Sequence, residues 1–368
     1  MKVQNSISLL DFTDFLEAGA LLRDRNEWIL VFGHSEPVSP RKDAYEKGSF
    51  FSVFSPSFYE VEESEAVSFK NEARLSQANF LKLCRDYLET APQPPLVWDE
   101  VVWKEPDLND FTQTFSHTQR LISQGQIDKA VPCVFSQAEI QITPATLVKS
   151  FLAMSSLPDH LHVYGIWQDG EGTLGATPEI LFEKKGLQVS TMALAGTLAK
   201  STKSRGEILL KDKKELHENA LVVEDLRYQL RALGHVKVDP VQLLELPTLW
   251  HLITRIEMKL ENEIDPMELV KRLHPTPALG VAPRNFGWRW MREWPQQNLR
   301  QRFGAPFLMK IDTDHWLCLV AIRNLQWDRK QLLIGSGCGL VRDSEIEREW
   351  LELFYKRESV KKILGIKQ

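Results

Sequence analysis

The chain contains 368 residues with a mass of 42.4 kDa, of which 43% are hydrophobic, 26% charged and 10% aromatic. These proportions are typical of a soluble globular protein with a sizeable core and exclude a disordered, collagen-like or fibrous chain. The 45 Lys and Arg residues and 50 Asp and Glu residues give a formal net charge of -5, with no long run of either sign. This balance excludes the basic surface expected of a nucleic-acid-binding protein.

The N-terminal stretch does not resemble an export signal. Asp11, Asp14 and Glu17 interrupt its apolar part, so it lacks the uncharged core of a signal peptide. No uncharged apolar run reaches the length of about 18 residues that a membrane-spanning helix needs. The 4 cysteines lie far apart and form no CxxC pair, which favours buried thiols in a reduced compartment. We therefore expect a cytoplasmic protein without membrane contact.

The first hundred residues predict short strands. Apolar runs at 28–32 and 50–54 are separated by turn-forming residues at 39–43. The proline-rich residues 91–95 and the acidic stretch up to Asp110 form either a linker or a surface connection within one domain.

The pattern changes after this stretch. Apolar residues recur at helical spacing over 111–122, and Gly125 is placed to end that helix. A strand is predicted over 129–135, where Pro132 indicates a sheet edge or a bulge.

Further strands follow at 161–167, 179–182 and 187–194, and short turns between them predict an antiparallel meander. Two more strands are predicted at 316–322 and 331–334. Because strands and helices are mixed without regular βαβ alternation, the predicted fold class is α+β.

Two long helices are predicted in the second half of the chain. The first begins at Asp212, with Glu215 as its capping-box partner, and ends at Gly234; the second spans 344–365 with a similar capping box. Their predicted apolar stripes are Leu216, Ala220, Val223, Leu230 and Leu233 on the first, and Ile346, Trp350, Leu353, Val360 and Ile363 on the second.

Acidic residues on these helices are candidate ligands. Glu218 flanks the apolar stripe of the first helix, and Glu345, Glu349, Glu352 and Lys356 share one face of the second. Solvated carboxylates explain both faces equally well, including a Glu352–Lys356 pair contributing about 0.3–0.5 kcal/mol. Neither helix alone predicts a metal site, because Mg²⁺ needs only one or two carboxylates.

Eight short segments, taken together and in order, resemble the chorismate-utilising enzymes, which include isochorismate, salicylate, anthranilate and aminodeoxychorismate synthases. These segments are residues 175–179, 193–197, 211–223, 273–278, 302–304, 320–323, 335–341 and 349–356. The resemblance implies a single chorismate-binding domain over 1–368, with two stacked antiparallel sheets flanked by helices. Within it, 1–110 would supply divergent N-terminal strands and 111–366 the catalytic core.

The resemblance also implies a Mg²⁺ site and a pocket for chorismate. Glu218 and Glu352 match the family's metal-ligating glutamates, and Glu349 matches a neighbouring acidic position associated with a metal-bound water. Arg323 matches the residue that binds the enolpyruvyl carboxylate, a role suited to a planar bidentate donor. The other implied substrate-binding residues are Ala195, Gly196, Thr197, His251, Gly337, Gly339 and Lys356. Without the resemblance, Arg323 is equally a surface ion-pair partner and His251 a buried structural histidine.

The implied reaction follows from three residues. Lys129 matches the lysine with which isochorismate and salicylate synthases activate water for attack at C2, and Glu179 matches the acid that protonates the departing C4 hydroxyl. Ala195 stands where aminodeoxychorismate synthases carry a nucleophilic lysine. Taken alone, Lys129 would be a strand-edge lysine and Glu179 a solvated turn carboxylate.

The expected function is therefore that of an isochorismate synthase, a Mg²⁺-dependent isomerase acting on chorismate without a glutamine amidotransferase subunit. Salicylate synthase, which also eliminates pyruvate, is one alternative. A non-catalytic chorismate-binding paralogue is the other, because Pro132 interrupts the strand that carries Lys129 and Val134 replaces the family's arginine. The sequence leaves open whether the product enters menaquinone, siderophore or salicylate biosynthesis.

Overall fold

A computed structural model of the chain describes residues 6–33, 36–38, 51–200 and 206–366. The turn predicted at 39–43 lies outside these ranges. The helices are α1 (Leu9–Glu17), α2 (Gln77–Thr90), α3 (Leu108–Ser123), α4 (Pro144–Met154), α5 (Lys213–Leu230), α6 (Pro266–Leu273) and α7 (Ile346–Ile363). The strands are β1 (Gly19–Asp24), β2 (Glu27–Phe32), β3 (Glu36–Val38), β4 (Phe51–Phe54), β5 (Ala66–Phe69), β6 (Asn71–Ser76), β7 (Lys129–Ala130), β8 (Cys133–Ala138), β9 (His162–Gln168), β10 (Glu171–Thr177), β11 (Ile180–Lys185), β12 (Gln188–Ala199), β13 (Gly234–Val238), β14 (Gln242–Glu245), β15 (Leu249–Leu260), β16 (Val281–Ala282), β17 (Pro306–Asp312), β18 (His315–Val320), β19 (Asn324–Trp327) and β20 (Leu332–Gly337).

These strands form two large antiparallel sheets. The 8-stranded sheet has the order β6-β2-β1-β9-β10-β19-β20-β8. The 10-stranded sheet has the order β13-β15-β12-β11-β18-β17-β4-β5-β3, with β14 also paired to β15, and β16 and β7 form a separate pair. Strands from the N-terminal hundred residues thus belong to both sheets.

The sheets stack face to face with helices outside them, as predicted. Ala20 and Ile166 of the 8-stranded sheet and Phe307 and Leu319 of the 10-stranded sheet share one buried cluster between the layers. Helices α1, α2 and α4 cover the outer face of the first sheet, and α5 and α6 that of the second. The predicted α+β class is confirmed. The helices lie outside the sheets because their apolar faces bury the outer apolar surface of each sheet.

The predicted antiparallel meander is wrong. Strand β9 pairs with β10 in the 8-stranded sheet, whereas β11 pairs with β12 in the 10-stranded sheet, so the chain crosses between layers at 178–179. Strand β10 escaped prediction because Gly172 and Gly175 weaken its apolar alternation. A Cβ at Gly172 would lie 2.5 Å from the Trp327 ring, so the glycine reflects close packing within a strand.

The predicted strand over 129–135 is two strands. Lys129–Ala130 pairs with β16, and Cys133–Ala138 forms an edge of the 8-stranded sheet, as the proline had indicated. Pro132 lies between them, where it has no N–H to donate, and its carbonyl accepts a hydrogen bond from Cys338.

The long helices lie where predicted, with different ends and faces. Asp212 caps α5, but the helix ends at Leu230, and Gly234 begins β13, where it pairs with Leu260 of β15. Glycine is needed there because a Cβ would meet the Lys259 carbonyl at 2.0 Å. For α7 the predicted Ser344 cap is wrong, since Glu345 occupies the N-cap without a side-chain bond. Polar side chains contribute to the buried faces, namely Lys214, Glu215, Glu218 and Asn219 on α5, and Glu349, Arg357 and Lys361 on α7. Of the stripe predicted for α5, Leu230 is buried and Val223 and Leu233 pack against the same core in partly buried positions, whereas Ala220 is exposed.

Two other expectations concern cysteines and membranes. Cys84, Cys133, Cys318 and Cys338 are all buried with free thiols, which confirms their predicted packing role. Among the helices of the described ranges, none combines the length and the apolar character needed to cross a bilayer.

Candidate active site

A pocket opens between the two layers, beside the crossing at 178–179 and the connection from β20 to α7. It gathers residues from distant parts of the chain. The predicted site residues that line it are Glu179, Ala195, Gly196, Thr197, Glu218, His251, Arg323, Gly337, Gly339 and Lys356. Of the remaining three, Lys129 and Glu352 form ion pairs with the lining residues Glu218 and Lys356, and Glu349 is linked to Glu218 through Lys214.

Lys129 and Glu218 form a buried ion pair beside the pocket. Lys129 is fully buried, and its Nζ lies 2.9 Å from Oε1 of Glu218. A Cβ at Gly339 would come within 2.0 Å of that Oε1 and 2.6 Å of Lys129 Cε, so glycine is required there. The interpretation of Lys129 as a solvated strand-edge residue is wrong. Burial alone would raise the pKa of Glu218, but Lys129 and Lys214 outweigh it and hold this pKa at about 2.

Glu179 lies on the crossing between the sheets. Its carbonyl accepts a hydrogen bond from Val320 N, and its own N–H donates to Thr177 Oγ1 at 3.1 Å. Burial raises the pKa of its carboxyl group to about 7, even though Lys129, Lys356 and Arg323 oppose the shift. Glu179 is therefore a buried carboxyl group poised near neutrality, and the interpretation as a solvated turn residue is wrong.

Arg323 and His251 contact each other in the pocket wall. Arg323 Nη2 donates to His251 Nε2 at 3.0 Å, and its Nη1 donates to the Lys356 carbonyl at 3.3 Å. Since the guanidinium has no acceptor, His251 Nε2 must accept, which leaves Nδ1 to donate towards Thr197 Oγ1 or the Gly196 carbonyl. Burial and Arg323 lower the pKa of His251 well below its ordinary value. His251 is thus neutral, in one tautomer assigned from its partners.

The backbone conformation of Arg323 is also unusual. Its φ of 55° lies in the left-handed region, which costs a non-glycine residue about 1–3 kcal/mol. Burial lowers the pKa of its guanidinium to about 10. A buried, strained cation aimed into a pocket is not the surface ion-pair partner that its residue type alone allows.

Glu215 is a site residue that the sequence analysis assigned only to helix capping. Its Oε2 accepts from Thr197 N at 3.0 Å, and its Oε1 accepts from Arg348 at 2.9 Å. It thereby holds the bulge in β12, where Gly196 has a φ of 89°. Its position three residues before Glu218, on the same helix face, was the signal that could have revealed it.

Four glutamates from α5 and α7 form what we call the carboxylate cluster: Glu215, Glu218, Glu349 and Glu352. Lys214 Nζ lies 2.8 Å from Glu349 Oε1, 3.2 Å from Glu215 Oε1 and 3.5 Å from Glu218 Oε2. The predicted Glu352–Lys356 pair is present at 2.6 Å. Lys214, four residues before Glu218, was also missed by the sequence analysis.

The carboxylate cluster contains the oxygen donors that Mg²⁺ prefers, but these side chains are not arranged around a common metal position. Carboxylate oxygens are the ligands that Mg²⁺ prefers, and within the described residues Glu349 Oε2 is buried without a hydrogen-bond partner. However, the described part of the chain contains no group of three or more acidic, histidine or cysteine side chains placed to hold a metal. The carboxylates do not converge on one position because each forms an ion pair with a lysine.

The C-terminal end of β20 is attached to α7 by two cations of that helix. Lys356 Nζ donates to the Gly337 carbonyl at 2.8 Å, and Arg357 Nη1 donates to Ser336 Oγ at 2.9 Å. These bonds hold the glycine-rich backbone against the pocket. Ala195, on the opposite wall, offers only a methyl group and a carbonyl that accepts from Asn219.

Comparison with known proteins identifies the family. Residues 41–362 match the family described as chorismate binding enzyme, and the chain belongs to it. This confirms the predicted family and that the protein is an enzyme. The chain is 28% identical over 271 residues to the isochorismate synthase EntC of Escherichia coli, covering 71% of this chain and 68% of EntC. It is 32% identical over 199 residues to a salicylate biosynthesis isochorismate synthase of Pseudomonas aeruginosa, covering 52% of this chain and 42% of that protein.

Solved structures show the same fold. The menaquinone-specific isochorismate synthase MenF of Escherichia coli superposes with a TM-score of 0.77 at 22% identity, covering 97% of this chain and 91% of MenF. Anthranilate synthase component I of Streptococcus pneumoniae gives a TM-score of 0.66 at 17% identity, with coverages of 94% and 90%. Because the fold is shared by enzymes with different products, the reaction has to be argued from the site.

Proposed function

We propose that this enzyme is an isochorismate synthase. The observation that carries the proposal is the placement of Lys129 and Glu179 at one buried pocket, with the pKa of Glu179 raised to about 7. A carboxyl group with that pKa is available as a general acid near neutral pH, and Lys129 is the proposed base. The isochorismate synthases among the relatives support the same assignment.

The proposed reaction exchanges a hydroxyl group between two ring carbons. Lys129 in its neutral form removes a proton from water, whose oxygen bonds to C2 of chorismate. Both ring double bonds shift, and the C4 hydroxyl leaves with its bonding electron pair and takes a proton from Glu179. One water enters and one leaves, so the product is an isomer of the substrate.

In the substrate-free site, Lys129 is held in an ion pair and is not in the neutral form that the proposed step requires. The Lys129 ammonium contacts Glu218 at 2.9 Å, and an amine acts as a base only after it has lost its proton. The Lys129–Glu218 ion pair is therefore the arrangement before turnover.

Substrate binding is assigned to the cationic side of the pocket. Arg323 presents a planar guanidinium for a carboxylate of chorismate, and His251, which accepts from it, fixes its orientation. The backbone at Gly196 and Gly337 allows close approach of the ring. Because Ala195 cannot form a covalent adduct and water is the nucleophile, no glutamine amidotransferase subunit is needed.

Mg²⁺ is the proposed cofactor, with Glu218 and Glu352 as its ligands and Glu349 beside them. When bound, it would supply positive charge to neutralise a carboxylate of the substrate. The donor types suit this ion, and all three glutamates lie on the two helices that face each other at the pocket.

Product analysis tests the proposal. Purified protein with chorismate and Mg²⁺ should produce isochorismate, measured by chromatography, with neither pyruvate nor an amine-containing product in the presence of ammonia. Salicylate with an equal amount of pyruvate would instead identify a salicylate synthase. Chorismate binding without any product would identify a non-catalytic paralogue.

A further inference from the structure

The carboxylate cluster already contains a cation supplied by the chain. Lys214 is 7% exposed, and its ammonium contacts carboxylates from both α5 and α7. Glu349, Glu215 and Glu218 all lie within 3.5 Å of this nitrogen. A lysine is rarely buried this deeply unless its charge is compensated.

Among the described residues, each of the other cations near the cluster contacts only one of its four carboxylates. Lys129 contacts Glu218, Lys356 contacts Glu352, and Arg348 contacts Glu215 together with Asp212 outside the cluster. Lys214 bridges α5 and α7, and it provides the ion pair that the described residues show for Glu349. Removing its charge would leave carboxylates from two helices facing each other with less compensation.

The carboxylates that would ligate Mg²⁺ are therefore partly those that Lys214 contacts. Of the two proposed ligands, Lys214 contacts Glu218, whose Oε2 lies 3.5 Å from its nitrogen, and it also contacts Oε1 of the neighbouring Glu349 at 2.8 Å. Mg²⁺ requires direct oxygen contacts at about 2.0–2.1 Å. If Mg²⁺ bound the Glu218 carboxylate while the Lys214 ammonium stayed against it, two positive charges would be held in contact within a buried cluster, which is strongly unfavourable.

We propose that Lys214 is a resident counter-cation of the magnesium site, which organises the carboxylate cluster before metal binding and is displaced when a divalent cation binds. The inference rests on the proposed Mg²⁺ site of the preceding section. Its consequence is that the substrate-free enzyme binds divalent cations weakly, since part of the binding free energy is used to release Lys214. Lys214 is thus a positioning residue of the apo site rather than a catalytic residue.

The test measures Mn²⁺ binding to substrate-free protein, using the electron paramagnetic resonance signal of free Mn²⁺. Lys214→Gln should bind Mn²⁺ about tenfold more tightly than the wild type, a coupling within the usual range. Lys214→Arg keeps the positive charge and should bind as weakly as the wild type. Lys213→Gln is the matched control, because Lys213 is the exposed neighbour on the same helix.

Thermal unfolding of the same variants gives a second measurement. Without a metal, Lys214→Gln should unfold at a lower temperature than Lys213→Gln, and added Mg²⁺ should restore more of its stability than it adds to the control. Equal Mn²⁺ affinity and equal Mg²⁺ response in the two variants would overturn the proposal.

A labelling experiment on the wild type does not depend on any variant folding. Reductive methylation followed by mass spectrometry should show little modification of Lys214 without a metal and more when Mn²⁺ is added, while Lys213 is modified equally in both. Unchanged protection of Lys214 at saturating Mn²⁺ would contradict displacement. These readouts involve no turnover, so they are independent of whether chorismate is converted to isochorismate.

Discussion

Arg323 donates a hydrogen bond to Nε2 of His251 across 3.0 Å, which makes a neutral histidine the acceptor for a buried cation. A second guanidinium nitrogen, Nη1, donates to the Lys356 carbonyl at 3.3 Å, so both Nη atoms of Arg323 are held by the pocket wall. His251 in turn is held from the far side by Thr197 and the Gly196 carbonyl. The orientation of the proposed carboxylate-binding group therefore depends on a residue that needs no contact with the substrate.

Replacing His251 with Ala should raise KM for chorismate about tenfold with a smaller effect on kcat, because Arg323 loses its acceptor and its orientation. Gln, which can accept at a similar position, should restore part of the affinity. His235→Gln, at an exposed site, serves as the control. Because burial keeps the pKa of His251 well below 6.5, the wild-type KM should show no inflection from this group between about pH 6 and 8. A larger loss in kcat than in KM would argue for direct participation in the chemistry.

Forward turnover should decline as the pH rises through about 7, where Glu179 loses the proton that it donates to the leaving hydroxyl. The sign follows from its role as an acid, since the active form is the protonated one. The measurement is kcat against pH with saturating chorismate. A rate that stays constant from pH 6 to 9, with chemistry shown to be limiting, would remove Glu179 from this role.

Lys129→Ala and Glu179→Gln should each lower kcat by about 10²–10⁴-fold. The double variant should lose little more than the worse single variant, because either defect stops the same step. Chorismate binding, measured by calorimetry, should persist in all three. Near-normal turnover of Lys129→Ala would show that another group activates water.

Glu179→Gln should also change how stability depends on pH. In the wild type, raising the pKa from 4.5 to about 7 means that the folded protein loses stability as the pH rises through this interval, on the order of 3 kcal/mol in total. The neutral glutamine does not titrate, so the variant should gain stability relative to the wild type from about pH 4.5 to 7 and keep that gain above it. Chemical denaturation at pH 5 and pH 8 measures the difference. An equal difference at both pH values would contradict the assigned pKa.

Gly339→Ala should lower activity by about 10²-fold or more, because its Cβ would enter the space of Glu218 Oε1 and Lys129 Cε. Overpacking of this kind typically costs about 1–3 kcal/mol of stability as well. Gly337→Ala is the matched comparison, since its nearest neighbour would be the Cys133 Sγ at 3.1 Å. Activity assays and thermal unfolding should rank Gly339→Ala below Gly337→Ala, and the reverse order would argue against the packing described.

Local signals in the sequence determined the elements and the family. Spacing predicted the position of α3 and the Asp212 cap predicted the start of α5, and the α+β class followed from the mixture of strands and helices. The ordered motifs indicated a chorismate-binding enzyme and named residues that the structure brings to one pocket. These features depend on residues close together in the chain, so the sequence records them directly.

The tertiary structure decided which of these residues share an environment. The crossing at 178–179 arises because β10 pairs with β19 and β11 with β18, strands far away in sequence, so no local pattern indicates it. Pro132 signalled a sheet edge or a bulge, but only the pairing of β8 with β20 decided where the new strand begins. The same holds for Lys214 and Glu215, whose partners on α7 lie more than a hundred residues away, and for the burial that raises the pKa of Glu179. A glutamate or lysine is identical in sequence whether solvated or buried, and only the packing around it sets its charge and its chemistry.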